Sequence, residues 1–124
     1  MFREKKRIAV ANRTRGTVLG DDIAVADTTC SRVVGLLGKR GLGQGGGLLI
    51  VPSQGVHTVG MMFTIDIVFL DADLRVLSVR SRLRPFRLSR VIWKARSVLE
   101  LPNGVIRDSR TDVGDELQIT ELRS

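Results

Sequence analysis

GVHTVGMMFTIDIVFLD, residues Gly55 to Asp71, sets the only histidine of the chain a few residues before an aspartate that interrupts an otherwise apolar run. From Thr64 to Leu70 the spacing predicts a strand, because side chains alternate across a pleated backbone. Ile65, Ile67 and Phe69 then share one face, and Asp66 shares the other with Val68 and Leu70. A carboxylate among aliphatic side chains must find donors or a cation, since burying it unpaired costs several kcal/mol. The strand continues into a hairpin around Asp71-Ala72-Asp73-Leu74, with Val76 to Val79 as the returning arm.

Working outward, Arg7 to Asn12 reads as a strand, as does Thr17 to Asp27, with Gly20-Asp21-Asp22 as a turn inside it. Thr28, Thr29 and Ser31 offer caps for a short helix over Arg32 to Leu37, which Gly38 or Gly41 would end. Gly41 to Gly47, GLGQGGG, reads as a flexible loop before a strand over Leu48 to Val51. Trp93 to Leu101 ends as a strand, Pro102 starts a helical turn toward Asp108, and Gly114-Asp115 turns into a last strand, Glu116 to Leu122. The expectation is a mainly β, sandwich-like or barrel-like single domain over residues 1–124, with seven or eight short strands, one or two short helices and a short basic segment at 1–6.

A chain of 124 residues can bury a core without disulfides or structural metals. The start, MFREKKRIAV, is charged first and too briefly apolar for a secretory signal, and the chain has no membrane-span-length apolar run. A single cysteine, Cys30, excludes an intramolecular disulfide, and the expected location is cytoplasmic. The formal charge is +7, and 16 of the 20 basic residues are arginine. Between Arg75 and Arg96 lie Arg80, Arg82, Arg84, Arg87, Arg90 and Lys94, with no acidic residue among them. Such a balance permits binding to nucleic acid, anionic lipid or acidic protein.

Several ordered blocks together resemble one family. They are Arg32-x-x-Gly35-Leu36-Leu37, Gly47-Leu48-Leu49-Ile50, Val56-His57-Thr58 with Met61 or Met62, Ile65 to Asp71, Arg84-Pro85-Phe86-Arg87, Val98 to Gly104 and Val113-Gly114-Asp115. Their order is similar to that of the domain of unknown function 192 family, over roughly residues 17–120. The resemblance implies a mainly β domain of about this size and no established activity. Many members of that family carry Trp-Met-Lys-Asn where this chain has Val56-His57-Thr58, so it resembles a His-Thr branch, and a lysine-dependent role does not transfer. Asp73, Phe86 and Asn103 depart from the glycine, tryptophan and alanine-like residues frequent at those places.

For function, the residues predict a non-catalytic module that binds a small polar ligand or a protein partner, with no cofactor. Its cleft would lie between the Arg32 helix, the His57 loop and the turn at Arg84 to Arg87. There Arg32, His57, Thr58, Asp66 and Arg87 would fix a polar group, with Met61 and Phe86 as apolar walls. One His, one Cys and scattered Asp give no zinc spacing. Cys30 reads as packing rather than as a nucleophile, and the glycine tract lacks the Lys-Ser/Thr ending of a phosphate loop.

The second class is binding to nucleic acid or an acidic partner through Arg80, Arg82, Arg84, Arg87, Arg90 and Lys94, with Trp93 or Phe86 for stacking. In a plain strand Arg80, Arg82 and Arg84 would form one row, opposite Val79, Ser81 and Leu83. A third class is a hydrolase or transferase using His57 with Asp66.

Overall fold

A computed structural model describes residues 6–26, 43–55, 63–85 and 87–122. Within them the chain forms β1 (Arg7–Asn12), β2 (Thr17–Ala26), β3 (Gly46–Ile50), β4 (Ile65–Leu70), β5 (Val76–Leu83), β6 (Ser97–Pro102), α1 (Val105–Ser109) and β7 (Leu117–Glu121). The strands make a single sheet in the order β5-β4-β6-β3-β2-β1-β7, antiparallel throughout except for the parallel pair β2–β3.

That sheet curls until its two edges meet at one corner. Arg75, just before β5, bridges Glu116, just before β7; Val76 N donates to Asp115 O at 2.8 Å and Leu117 N to Leu74 O at 2.9 Å. A twisted sheet closing on itself removes exposed edges, and here closure is local, giving a half-barrel rather than a two-sheet sandwich. Its inner face gathers apolar side chains from all seven strands and α1, among them Ile8, Ile23, Leu49, Val68, Val76, Leu99, Ile106 and Leu117. The outer face of the central strands is buried as well, through Leu48, Ile50, Ile65, Ile67, Phe69, Leu83 and Val98. Every residue of β4 is therefore buried, and each large aliphatic or aromatic side chain there contributes about 1.5–3 kcal/mol.

The strand from Ile65, its face assignment, the hairpin, the β6 strand and the final strand fall where the sequence put them. Three local readings change. Gly20-Asp21-Asp22 is a bulge inside a continuous β2 rather than a turn, because Asp21 N and Asp22 N both donate to Gly45 O at 3.0 Å. The glycine tract is not loop throughout: Gly46 and Gly47 open β3, and a Cβ on Gly47 would stand 2.6 Å from the Glu100 carbonyl oxygen. Glycine is required there by that close approach.

The third change falls on the arginine row. Ile65 pairs with Leu83 and Ile67 with Arg80, so β5 spends one extra residue at Ser81-Arg82, and Arg82 takes φ 59. This bulge returns Leu83 to the face that Arg80 occupies and takes Arg82 out of the expected row. The short helix over Arg32 to Leu37 lies outside the described residues.

Candidate functional site

Of the side chains expected to line the cleft, Arg32, His57, Thr58, Met61 and Phe86 lie outside the described residues, as does Cys30. Asp66 and Arg87 are described, and they differ sharply: Asp66 is fully buried on the inner face, and Arg87 is exposed.

Both oxygens of Asp66 are occupied by the main chain. Oδ1 accepts from Arg82 N at 3.1 Å, at the β5 bulge. Oδ2 accepts from Gly104 N at 3.1 Å and Ile106 N at 3.0 Å. These last two are unpaired donors of a helix start, and Gly104 has no side chain with which to cap them. Asp66 thus caps α1 from a neighbouring strand and pins the bulge, an architectural task that leaves neither oxygen open to a cleft.

A second buried acid was not singled out from sequence. Glu100 lies on β6 between Leu48 and Ile67 in register, and its neighbours Leu99 and Leu101 point to the inner face. Its own side chain is on the outer face, 1% exposed, and its Oε1 has no hydrogen-bond partner among the described residues. Burial pushes its carboxyl up to about 8, so at neutral pH the proton stays on and the group is uncharged. The signal was the one that marked Asp66: a lone acid inside an apolar strand.

A polar knot was likewise missed. Asn12 Nδ2 donates to Asp115 Oδ2 at 2.9 Å and to Thr111 Oγ1 at 3.1 Å, and Arg15 Nε reaches Asp115 Oδ2 at 3.1 Å. It ties β1 to the turn before β7 and holds the closing corner of the barrel.

The basic stretch occupies the sheet's β5 edge and the segment that follows. Arg80, Arg82, Arg84, Arg87, Arg90, Lys94 and Arg96 are all exposed. Elsewhere five surface cations are matched: Lys6 with Glu121, Arg7 with Asp22, Arg15 with Asp115, Arg75 with Glu116 and Arg107 with Asp108; exposed Arg13 and Arg110 enter no ion pair among the described residues. Arg80, Arg82, Arg90, Lys94 and Arg96 enter no ion pair among the described residues.

Large apolar side chains stand among these cations: Leu88 and Trp93 are each 79% exposed, and Val91 is 55% exposed. Their exposure is built in. Ile92 N donates to Gln54 O at 2.9 Å, Gln54 Nε2 to Trp93 O at 2.7 Å, and Arg96 N to Leu70 O at 2.8 Å. With Ile92 and Ala95 packed on the outer core, the intervening Trp93 and Lys94 face outward, as does Val91 just before Ile92.

The segment also returns across β5. Arg80 and Arg90, ten positions apart in sequence, line one recess of about 160 Å³ with Leu88 beside them and Ile67, Phe69 and Leu83 below. A larger open cleft of about 590 Å³ lies across the molecule between β2, Gln44-Gly45 and α1, and its charged lining is acidic, Asp21 and Asp108. Among the described residues, no helix is long and apolar enough to cross a membrane.

Residues 10–119 match the profile of the family described as uncharacterised ACR, DUF192. The chain belongs to the DUF192 family. Two curated relatives, both called UPF0127 protein, are similar along most of their length. One, from Thermococcus sibiricus, is 31% identical over 120 residues, covering 91% of this chain and 77% of the relative. The other, from Pyrococcus horikoshii, is 25% identical over 114 residues, covering 88% and 96%. Two crystal structures share the DUF192 fold seen here. A candidate transcription regulator from Sinorhizobium meliloti superposes with TM-score 0.73 at 20% identity, covering 95% of each chain. A protein of unknown function from Novosphingobium aromaticivorans does so with TM-score 0.73 at 21% identity, covering 90% of this chain and 83% of that one.

Proposed function

We propose that this DUF192 chain is a non-catalytic binding module that takes single-stranded nucleic acid on the face formed by residues 80–96. The observation that carries the reading is the exposed Trp93 held on one face with Arg80, Arg82, Arg90, Lys94 and Arg96, which enter no ion pair among the described residues. Five cations elsewhere on the surface pair with acids, whereas these five gather on one face with no carboxylate partner among the described residues. Single-strand binders combine a cationic track with aromatic side chains on which bases stack, each stacked base contributing about 1–3 kcal/mol. Duplex readers need an element that enters a groove, whereas this face is an edge strand followed by an irregular segment pegged at Ile92 and Ala95.

The roles divide by chemistry. Arg80, Arg82, Arg84, Arg87, Arg90 and Lys94 contact phosphates, Trp93 stacks on a base, and Leu88 and Val91 shield the contact from water. The description of the Sinorhizobium protein as a candidate regulator of transcription agrees with this reading and does not carry it.

The test is fluorescence anisotropy of a labelled twenty-nucleotide oligo(dT) against the wild type, Trp93→Ala and Arg90→Ala/Lys94→Ala. Saturable binding by the wild type, with a loss of roughly fivefold or more in each variant, supports the proposal. Absence of binding at low salt, or variants that bind as the wild type does, overturns it.

A further inference from the structure

We infer that the recess beneath Arg80 and Arg90 is a binding site for a small organic carboxylate with a branched hydrocarbon body. The inference rests on the shape and lining of the recess, independently of the nucleic-acid reading.

Its floor is apolar. Ile67 and Phe69 belong to β4, Leu83 follows the bulge of β5, and all three are buried in the outer core. Without the extra residue at Ser81-Arg82, Leu83 would face the other way and the floor would lose one wall. The bulge therefore shapes the recess, and Asp66 holds the bulge through Arg82 N.

The rim is cationic and unpaired. Arg80 of β5 and Arg90 of the following segment both line the recess, and neither side chain has a hydrogen-bond or ion-pair partner among the described residues. Two guanidinium forks at one mouth suit a carboxylate, which each can meet with paired N–H donors. Leu88, 79% exposed, stands at the same mouth and would be covered by a ligand's hydrocarbon.

Size sets the rest. A volume of about 160 Å³, at about 30 Å³ for a water-sized group, holds roughly five methyl or methylene groups. The carboxylate then sits at the rim between the arginines. A bare inorganic anion would leave the apolar floor unused, and an uncharged hydrocarbon would leave the arginines unused.

The full-length chain, uniformly labelled with ¹⁵N and free of nucleic acid, is titrated with 4-methylvalerate, with 4-methylvaleramide and with inorganic phosphate, and backbone amide shifts are followed. Saturable shifts centred on Ser78, Arg80, Ser89 and Arg90 are expected with 4-methylvalerate, at an affinity about tenfold or more above that of the amide or of phosphate. Arg80→Ala should weaken binding about tenfold. Ser78→Phe, which fills the recess and keeps both charges, should abolish it. Equal affinity for phosphate would show that only charge is read and would overturn the inference. So would shifts that map elsewhere, or none. The comparison of three ligands on the wild type stands even where a variant folds poorly.

Discussion

Asp66 and Glu100 stand on adjacent strands one register step apart, Asp66 opposite Leu101 and Glu100 opposite Ile67, and they face opposite sides of the sheet. The inner carboxylate accepts three main-chain N–H bonds, and the outer one has an oxygen with no partner among the described residues. Two acids in similar apolar contexts thus differ in their partners. Folding brings three backbone donors to Asp66. Glu100 gives up its charge.

Replacing Asp66 by Asn keeps shape and volume but supplies only one acceptor oxygen, and its amide nitrogen then meets a backbone N–H. The loss should be about 2–4 kcal/mol, from an acceptor oxygen removed and a buried donor stranded. Asp22→Asn, at the exposed pair with Arg7, should cost far less, because solvent screens a surface pair. Urea denaturation of the two variants checks this, and equal effects would contradict the capping role.

Glu100 should make stability depend on pH in the opposite sense to an ordinary paired acid. Its carboxyl is raised from 4.5 to about 8 in the folded chain, so between those values the native state keeps a proton that the unfolded chain releases. Its contribution is intact below pH 4.5, declines as pH rises, and is lost above about 8. Glu100→Gln carries no such proton, so its stability relative to the wild type should rise between pH 5 and pH 9. Urea midpoints of both proteins across that range check it; parallel pH profiles would contradict the assignment.

Gly47→Ala should destabilise the chain by about 2 kcal/mol or more. The added Cβ would meet the Glu100 carbonyl oxygen at 2.6 Å, a backbone atom fixed by the β3–β6 pairing. Gly16→Ala meets no atom within 4 Å. It adds only the cost of a positive φ, so the larger drop in thermal midpoint belongs to Gly47→Ala.

What the sequence made legible follows from which forces act locally. The period-two alternation of Ile65 to Leu70 gave both its strand and the face on which Asp66 lies. The partners of Asp66 were not legible, because backbone N–H groups of Arg82, Gly104 and Ile106 carry no side-chain signature and lie 16 to 40 positions away. Arg82 at φ 59 was equally hidden, since nothing in the identity of an arginine marks a left-handed bulge. The charge run at 80–96 was plain. That it would carry an outward Trp93 required the fold to peg Ile92 and Ala95 beneath it.

Trp93 is the only tryptophan of the chain, so intrinsic fluorescence reports the proposed contact without a label. The most direct measurement is its quenching by oligo(dT) over a series of salt concentrations. The account predicts saturable quenching and a slope of log affinity against log salt of about −4, from six cations at roughly 0.7 each, shrinking by about 1.4 in Arg90→Ala/Lys94→Ala, which removes two of them. Quenching that does not occur, or an affinity that does not change with salt, would contradict it.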